Sequence, residues 1–220
     1  MSARAVAFDF NGTLSHDEPI LAEIFVELFA ARGRPLSVQE YFDELAGLSD
    51  PEIVRTWLGR DHPAVGDVIT ERVERYRAAV ADGSSVPSYV REAVRYAAEH
   101  VPVAVVSGAA RTEIEPVLRA AELDDVVSVV VSADDVVHGK PDPEGYVRAL
   151  ELLDAQLAAE DVVVFEDTEA GIAAAKAAGM RCIAVLGTLA PERLSAADEV
   201  VERLDAGVVA RALASDPAES

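Results

Sequence analysis

Short, valine-rich apolar runs punctuate the chain at Ala5–Phe8, Val101–Val106, Val126–Val131, Asp161–Phe165 and Cys182–Leu186. Each is nearly continuous rather than alternating, the pattern of strands buried on both faces of a parallel sheet. Between the later runs the apolar spacing turns helical, over Pro87–Glu99, Arg111–Ala121, Pro143–Leu157 and Glu169–Ala178. Gly179 supplies a stop signal after the last of these. Strands alternating with helices in this way predict βαβ units and an α/β fold built on a doubly wound, Rossmann-like parallel sheet.

The first strand breaks the rhythm. After Leu14 no strand pattern appears until Val101, and the intervening chain reads as helices over Pro19–Arg32, Val38–Ala46, Pro51–Leu58 and Ala64–Ala81. Ile20, Leu21, Ile24, Phe25 and Leu28 give the first of these an apolar face. Asp82-Gly83-Ser84-Ser85 interrupts the helical pattern, and Pro87 restarts the alternation. Residues 1–15 and 87–220 are therefore expected to form an α/β core, with residues 16–86 inserted as a small helical domain. The stretch from Ala214 onward reads as a frayed tail.

Composition narrows the partners. The chain has 40 acidic against 19 basic residues, a formal net charge of -21, yet half of it is hydrophobic, so the acidity is not the signature of disorder. Such a surplus argues against nucleic acid or an anionic membrane as a partner, while leaving room for a small anion site. The only lysines are Lys140 and Lys176. The single cysteine, Cys182, excludes an intrachain disulfide and reads as a buried, inert thiol. No run approaches the roughly 18 apolar residues of a membrane span. Met1-Ser2-Ala3-Arg4 leads straight into a short strand without a signal-peptide core. The expectation is a soluble cytoplasmic protein, and no feature assigns an oligomeric state.

Ligands of open parallel sheets bind beyond the carboxyl ends of the strands. There the chain places Asp9-Phe10-Asn11-Gly12-Thr13-Leu14, then Ser107-Gly108, Gly139-Lys140-Pro141 and Glu166-Asp167. Carboxylate, carbonyl and water oxygens suit Mg²⁺. A hydroxyl, an ammonium and backbone N–H groups suit phosphoryl oxygens. Asp9 has the chemistry of a carboxylate nucleophile.

These four motifs, in this order, resemble those of the haloacid dehalogenase-like superfamily, and the likeness spans almost the whole chain. The helical insertion resembles that family's type-one cap. Gly139-Lys140-Pro141-Asp142-Pro143 and Phe165-Glu166-Asp167-Thr168-Glu169-Ala170-Gly171-Ile172 resemble its branch of β-phosphoglucomutases and small phosphatases. The resemblance implies a Mg²⁺-dependent phosphohydrolase acting on a small phosphorylated metabolite through an aspartyl-phosphate on Asp9. It implies Asp9, the backbone carbonyl of Asn11 and Asp167 as metal ligands, with Glu166 supporting a metal-bound water. Ser107 and the N–H of Gly108 then cradle the phosphate, and Lys140 balances Asp9 and the transferring group.

One position departs from that pattern. The family's phosphatases carry an aspartate two residues after the nucleophile as general acid and base; here that residue is Asn11. An amide cannot shuttle a proton near neutral pH, and such help is worth roughly 10²- to 10⁴-fold. Three explanations stand: a slow or specialised phosphatase, a phosphate-binding or regulatory protein without turnover, or an inactivating substitution. His16 is a candidate replacement acid, set against an exposed hinge residue. Arg55 is the insertion's best candidate for touching substrate, whereas Trp57 and Tyr41 read as helical core or interface, and Arg111 and Lys176 as surface. Residues 15–86 contain no lysine, which removes a Schiff-base route. No basic cluster marks a second phosphate site of a mutase there, so hydrolysis is favoured.

Overall fold

The computed structural model describes residues 3–154 and 156–214; the expected tail after Ala214 lies outside them. Six strands, β1 (Ala5–Phe8), β2 (Val103–Val106), β3 (Val129–Val131), β4 (Val162–Glu166), β5 (Arg181–Val185) and β6 (Glu199–Val201), form one sheet in the order β3-β2-β1-β4-β5-β6. Every pairing is parallel. The central strands β1, β2 and β4 are buried throughout, which is why their sequences are unbroken apolar runs. β2 begins two residues later than the apolar run, because Pro102 has no N–H to donate; its carbonyl still accepts from Val6 N at 3.1 Å. The run at Val126 likewise becomes strand only at Val129. β6 was not expected. It is a short edge strand of mixed exposure opening on Glu199, too brief and too polar to read as buried sheet.

Among the described residues the helices around the sheet are α5 (Ser88–His100), α6 (Arg111–Ala120), α7 (Glu144–Leu153), α8 (Glu169–Ala177) and α9 (Ala206–Ala214). α7 stops short of the expected Leu157, and α9, which packs on α5, has no counterpart in the sequence expectation. Between β1 and α5 come α1 (Glu18–Ala30), α2 (Val38–Glu40), α3 (Asp50–Leu58) and α4 (Val65–Ala79). α2 is a single turn, opened by a Ser37–Glu40 capping box, and runs into a π-helical turn over Tyr41–Leu45 where one longer helix was expected. α1 and α3 both pack on α4, and α4 also touches α6. No described helix is long and apolar enough to cross a membrane.

Candidate active site

β1 lies between β2 and β4, at the point where the strand order reverses. Phe8 pairs in register with Val105 on one side and Phe165 on the other, so the residues that follow emerge together at one end of the sheet. Asp9 N donates to Phe165 O at 2.9 Å, and the Phe8 and Phe165 rings stack beneath at 5.3 Å. The loop after β3 carries Lys140 back over this edge. Its Nζ donates to Asp9 Oδ1 and to Glu166 Oε1, each at 2.5 Å, and to Val106 O at 3.0 Å. Asp9, Lys140 and Glu166, distant in sequence, are thus one hydrogen-bonded unit.

Glu166 is fully buried and its oxygens are committed. Oε1 also accepts from the Tyr146 hydroxyl at 3.0 Å, and the Tyr146 ring faces Lys140 Nζ at 5.2 Å. Oε2 accepts from the backbone N–H of Asp167 and Thr168 and from the Thr168 hydroxyl, at 2.9, 3.2 and 3.1 Å. Gly171 makes this possible: a Cβ there would run into the Glu166 carboxylate. No motif singles out Tyr146, whose place is set by the packing of α7 on the sheet.

The site is short of positive charge. Burial pushes Asp9 up to about 7, with Glu166 adding to the rise and Lys140 opposing it. Burial works against the charge on Lys140, but Asp9 and Glu166 outweigh it and hold the ammonium above the usual lysine range. Asp167 is raised well above an ordinary aspartate, first by burial and then by Asp9 and Glu166. Asp167 Oδ1 accepts from Thr13 Oγ1 at 3.0 Å, while its Oδ2 is buried with no hydrogen-bond partner among the described residues. Gly12, at φ 78°, brings the first loop against that oxygen where a Cβ would collide. Asp9, Glu166 and Asp167 offer carboxylate oxygens all within 4.8 Å of one another. An orphaned, buried carboxylate oxygen in an all-oxygen donor set is what a hard divalent cation fits.

Ser107 follows β2 and is buried; its Oγ accepts from Ala109 N at 3.1 Å and lies 3.5 Å from Asn11 Oδ1. Gly108 is exposed, with open space beside its Cα. Asn11 Nδ2 turns the other way, donating to Asp17 Oδ2 at 2.9 Å and to the Tyr76 hydroxyl at 3.2 Å, while Tyr76 itself donates to Asp17. Asp17 and Tyr76 went unmarked in the sequence; the one local signal was a polar residue just before the α1 pattern. His16 is exposed, and its ring meets Tyr89 edge-on at 5.9 Å, so the carboxylate against Asn11 belongs to its neighbour. Arg55 is exposed on α3 and Tyr41 is buried. Arg111 pairs with Asp135 at 2.7 Å and Lys176 with Asp198 at 2.5 Å.

A buried aspartate, a half-buried lysine and a buried acidic pair thus meet at the switch point of a parallel, Rossmann-like α/β sheet. Residues 3–179 match the haloacid dehalogenase-like hydrolases, and the chain belongs to that family, within its branch of small phosphatases. It is 31% identical over 91% of its length to validoxylamine A 7'-phosphate phosphatase of Streptomyces hygroscopicus subsp. limoneus, covering 94% of that protein. It is 28% identical to a phosphorylated carbohydrates phosphatase of Thermotoga maritima, over 81% of this chain and 83% of the other. The crystal structure of an aspartate-to-asparagine variant of CbbY from Rhodobacter sphaeroides, in complex with xylulose-1,5-bisphosphate, superposes with a TM-score of 0.81. That likeness is 28% in sequence and covers 93% of this chain and 95% of the other.

Proposed function

We propose that the chain is a Mg²⁺-dependent phosphohydrolase acting on a small phosphorylated metabolite through an aspartyl-phosphate on Asp9. The observation that carries this reading is the buried Asp9–Lys140–Glu166 unit beside an Asp167 oxygen with no partner. Relatives named for phosphorylated carbohydrates support the substrate class. Asp9, Asp167 and the backbone carbonyl of Asn11 would hold the ion. When bound it neutralises the carboxylates and phosphoryl oxygens, so that two anions can approach.

The chain's own residues do the rest. Lys140 holds Asp9 Oδ1, which leaves the second carboxylate oxygen to attack phosphorus. The phosphoryl oxygens rest on Ser107 Oγ, the Gly108 N–H and Lys140 Nζ. The bond to the leaving oxygen breaks as the bond to Asp9 forms, the leaving oxygen taking its proton from solvent; water then attacks phosphorus, the P–O bond to Asp9 breaks, and phosphate departs with the Asp9 carboxylate restored. Glu166, its oxygens already engaged, supports a metal-bound water only at the margin; its main part is to orient Lys140. The α1–α4 insertion acts as a cap that opens for substrate and closes to exclude water. Asn11 cannot protonate the leaving oxygen, and its amide N–H groups are already given to Asp17 and Tyr76.

Phosphate release from 4-nitrophenyl phosphate and a panel of sugar phosphates, with Mg²⁺ and with a chelator, tests the reading. Mg²⁺-dependent release is expected; no release in either condition overturns it. A second reading, phosphate binding with impaired turnover, is favoured by the commitment of the Asn11 amide to Asp17 and Tyr76. Phosphate binding without release in the same assay would select it.

A further inference from the structure

A second polar cluster lies between the helical insertion and the core, and the mechanism does not use it. Asp17 and Glu18 stand where the chain enters α1, Asp50 in the first turn of α3, and Glu113 on α6. One cation sits among them. Arg72 of α4 is 4% exposed, ion-paired with Glu113, with Nε 3.3 Å from Asp50 Oδ2 and its guanidinium 5.0 Å from the Tyr76 ring. Two phenols and one amide add neutral donors: Tyr41 donates to Glu18 Oε1 at 2.9 Å, and Tyr76 and Asn11 Nδ2 both donate to Asp17 Oδ2.

The cluster therefore sets four carboxylates against one guanidinium, which is ion-paired with Asp50 and Glu113 alone among the four, and donors run short. Asp17 is fully buried, and its Oδ1 has no hydrogen-bond partner among the described residues. Burial, with repulsion from Asp17 next, raises Glu18 to about 7. The seam is continuous with the phosphoryl site. Asp17 accepts from Asn11, whose carbonyl oxygen faces Ser107. Glu18 and Asp50 are only partly buried, so the seam reaches solvent at that end.

Resting on the phosphohydrolase reading, we propose that this seam receives the leaving group of a phosphate monoester bearing a protonated amine on a hydroxyl-rich ring, with Asp17 and Glu18 as the amine's acceptors. An ammonium brings three donors and one positive charge to a place short of both. Ring hydroxyls add further donors. A second phosphate or a carboxylate in the same position meets like charges, and Arg72 is already held by Asp50 and Glu113. The class selected is an amino-sugar or aminocyclitol monophosphate rather than a bisphosphate or a phosphorylated carboxylic acid.

The test compares glucosamine 6-phosphate, glucose 6-phosphate and fructose 1,6-bisphosphate, by calorimetric binding to the whole protein in Mg²⁺ and by phosphate release. The first is expected to bind about tenfold more tightly than the second, and more tightly still than the third. Glu18→Gln, which still accepts from Tyr41, is expected to shrink the amine preference at least about threefold. Equal binding of the two monophosphates, tighter binding of the bisphosphate, or an unchanged preference in Glu18→Gln overturns the proposal. Inorganic phosphate and 4-nitrophenyl phosphate separate the two readings. If phosphate binds but nothing is hydrolysed, turnover fails while the binding ratios still judge the seam. If phosphate itself does not bind, both readings fall.

Discussion

Asn11 Nδ2 donates to Asp17 Oδ2 across 2.9 Å, so the residue two places after Asp9 is tied by its amide to a carboxylate six residues further along. The arrangement explains how an asparagine is tolerated there. An amide can serve Asp17 as a donor and Ser107 as an acceptor at once, which a carboxylate cannot.

Asn11→Asp follows directly. It is expected to raise kcat for phosphate release by about 10²-fold, since an ionisable group returns beside the leaving oxygen. It also sets two carboxylates against each other in place of a hydrogen bond, at a cost of about 1–2 kcal/mol in unfolding free energy. Asn11→Asp combined with Asp17→Asn should recover that stability. Single-turnover assays and urea unfolding of the three variants check both effects; a double variant no more stable than Asn11→Asp would refute the pairing.

Lys140→Met removes the only charged donor to Asp9 among the described residues and leaves Glu166 buried beside it. Breaking a buried pair from one side costs about 3 kcal/mol, and loss of the cation should lower kcat by about 10²- to 10³-fold. Guanidinium unfolding and steady-state kinetics at neutral pH measure these; near-normal turnover would show that Lys140 does not balance the transferring group.

Tyr146→Phe keeps the ring over Lys140 and deletes only the hydroxyl that donates to Glu166. A stability loss of about 1 kcal/mol is expected. As a positioning effect on Lys140 it should reduce kcat by about tenfold with KM little altered. A change in KM alone would place Tyr146 in binding instead.

Glu18 supplies a pH test. Its pKa stands at about 7 in the fold against an ordinary 4.5, burial being the main cause. The folded state binds this proton more tightly than the unfolded chain, so the associated stability is complete below about pH 4.5 and is lost as pH climbs to about 7. Partial exposure trims the shift to about 2 kcal/mol. Glu18→Gln should therefore gain about 2 kcal/mol over the parent at pH 8 and little at pH 4.5, by urea unfolding at each pH. Equal gains at the two values would refute a buried, proton-binding Glu18.

The sheet was legible because burial on both faces demands unbroken apolar runs, and β1, β2, β4 and β5 obey that demand. Asp9, Ser107, Lys140 and Glu166-Asp167 could be read as one group because each follows such a run and parallel strands point the same way. Edge strand β6 and helix α9 escaped, one being too short and polar, the other lying at the chain's end among residues with no neighbouring strand pattern. The insertion's helices were legible as helices, but not what they bring to the site.

What the sequence determined by itself, then, was the order of the strands' chemistry: a carboxylate followed two residues later by an asparagine, then a hydroxyl, a lysine and an acidic pair. Only the tertiary structure decided that Tyr146 buttresses Lys140, that Asp17 rather than His16 meets Asn11, and that Tyr76 and Arg72 complete a seam short of cations. Strand ends are set by local burial patterns that repeat along the chain. Contacts between Asn11 and Tyr76, 65 residues apart, or Lys140 and Asp9, 131 apart, depend on how whole elements pack, and no local spacing encodes the first of these.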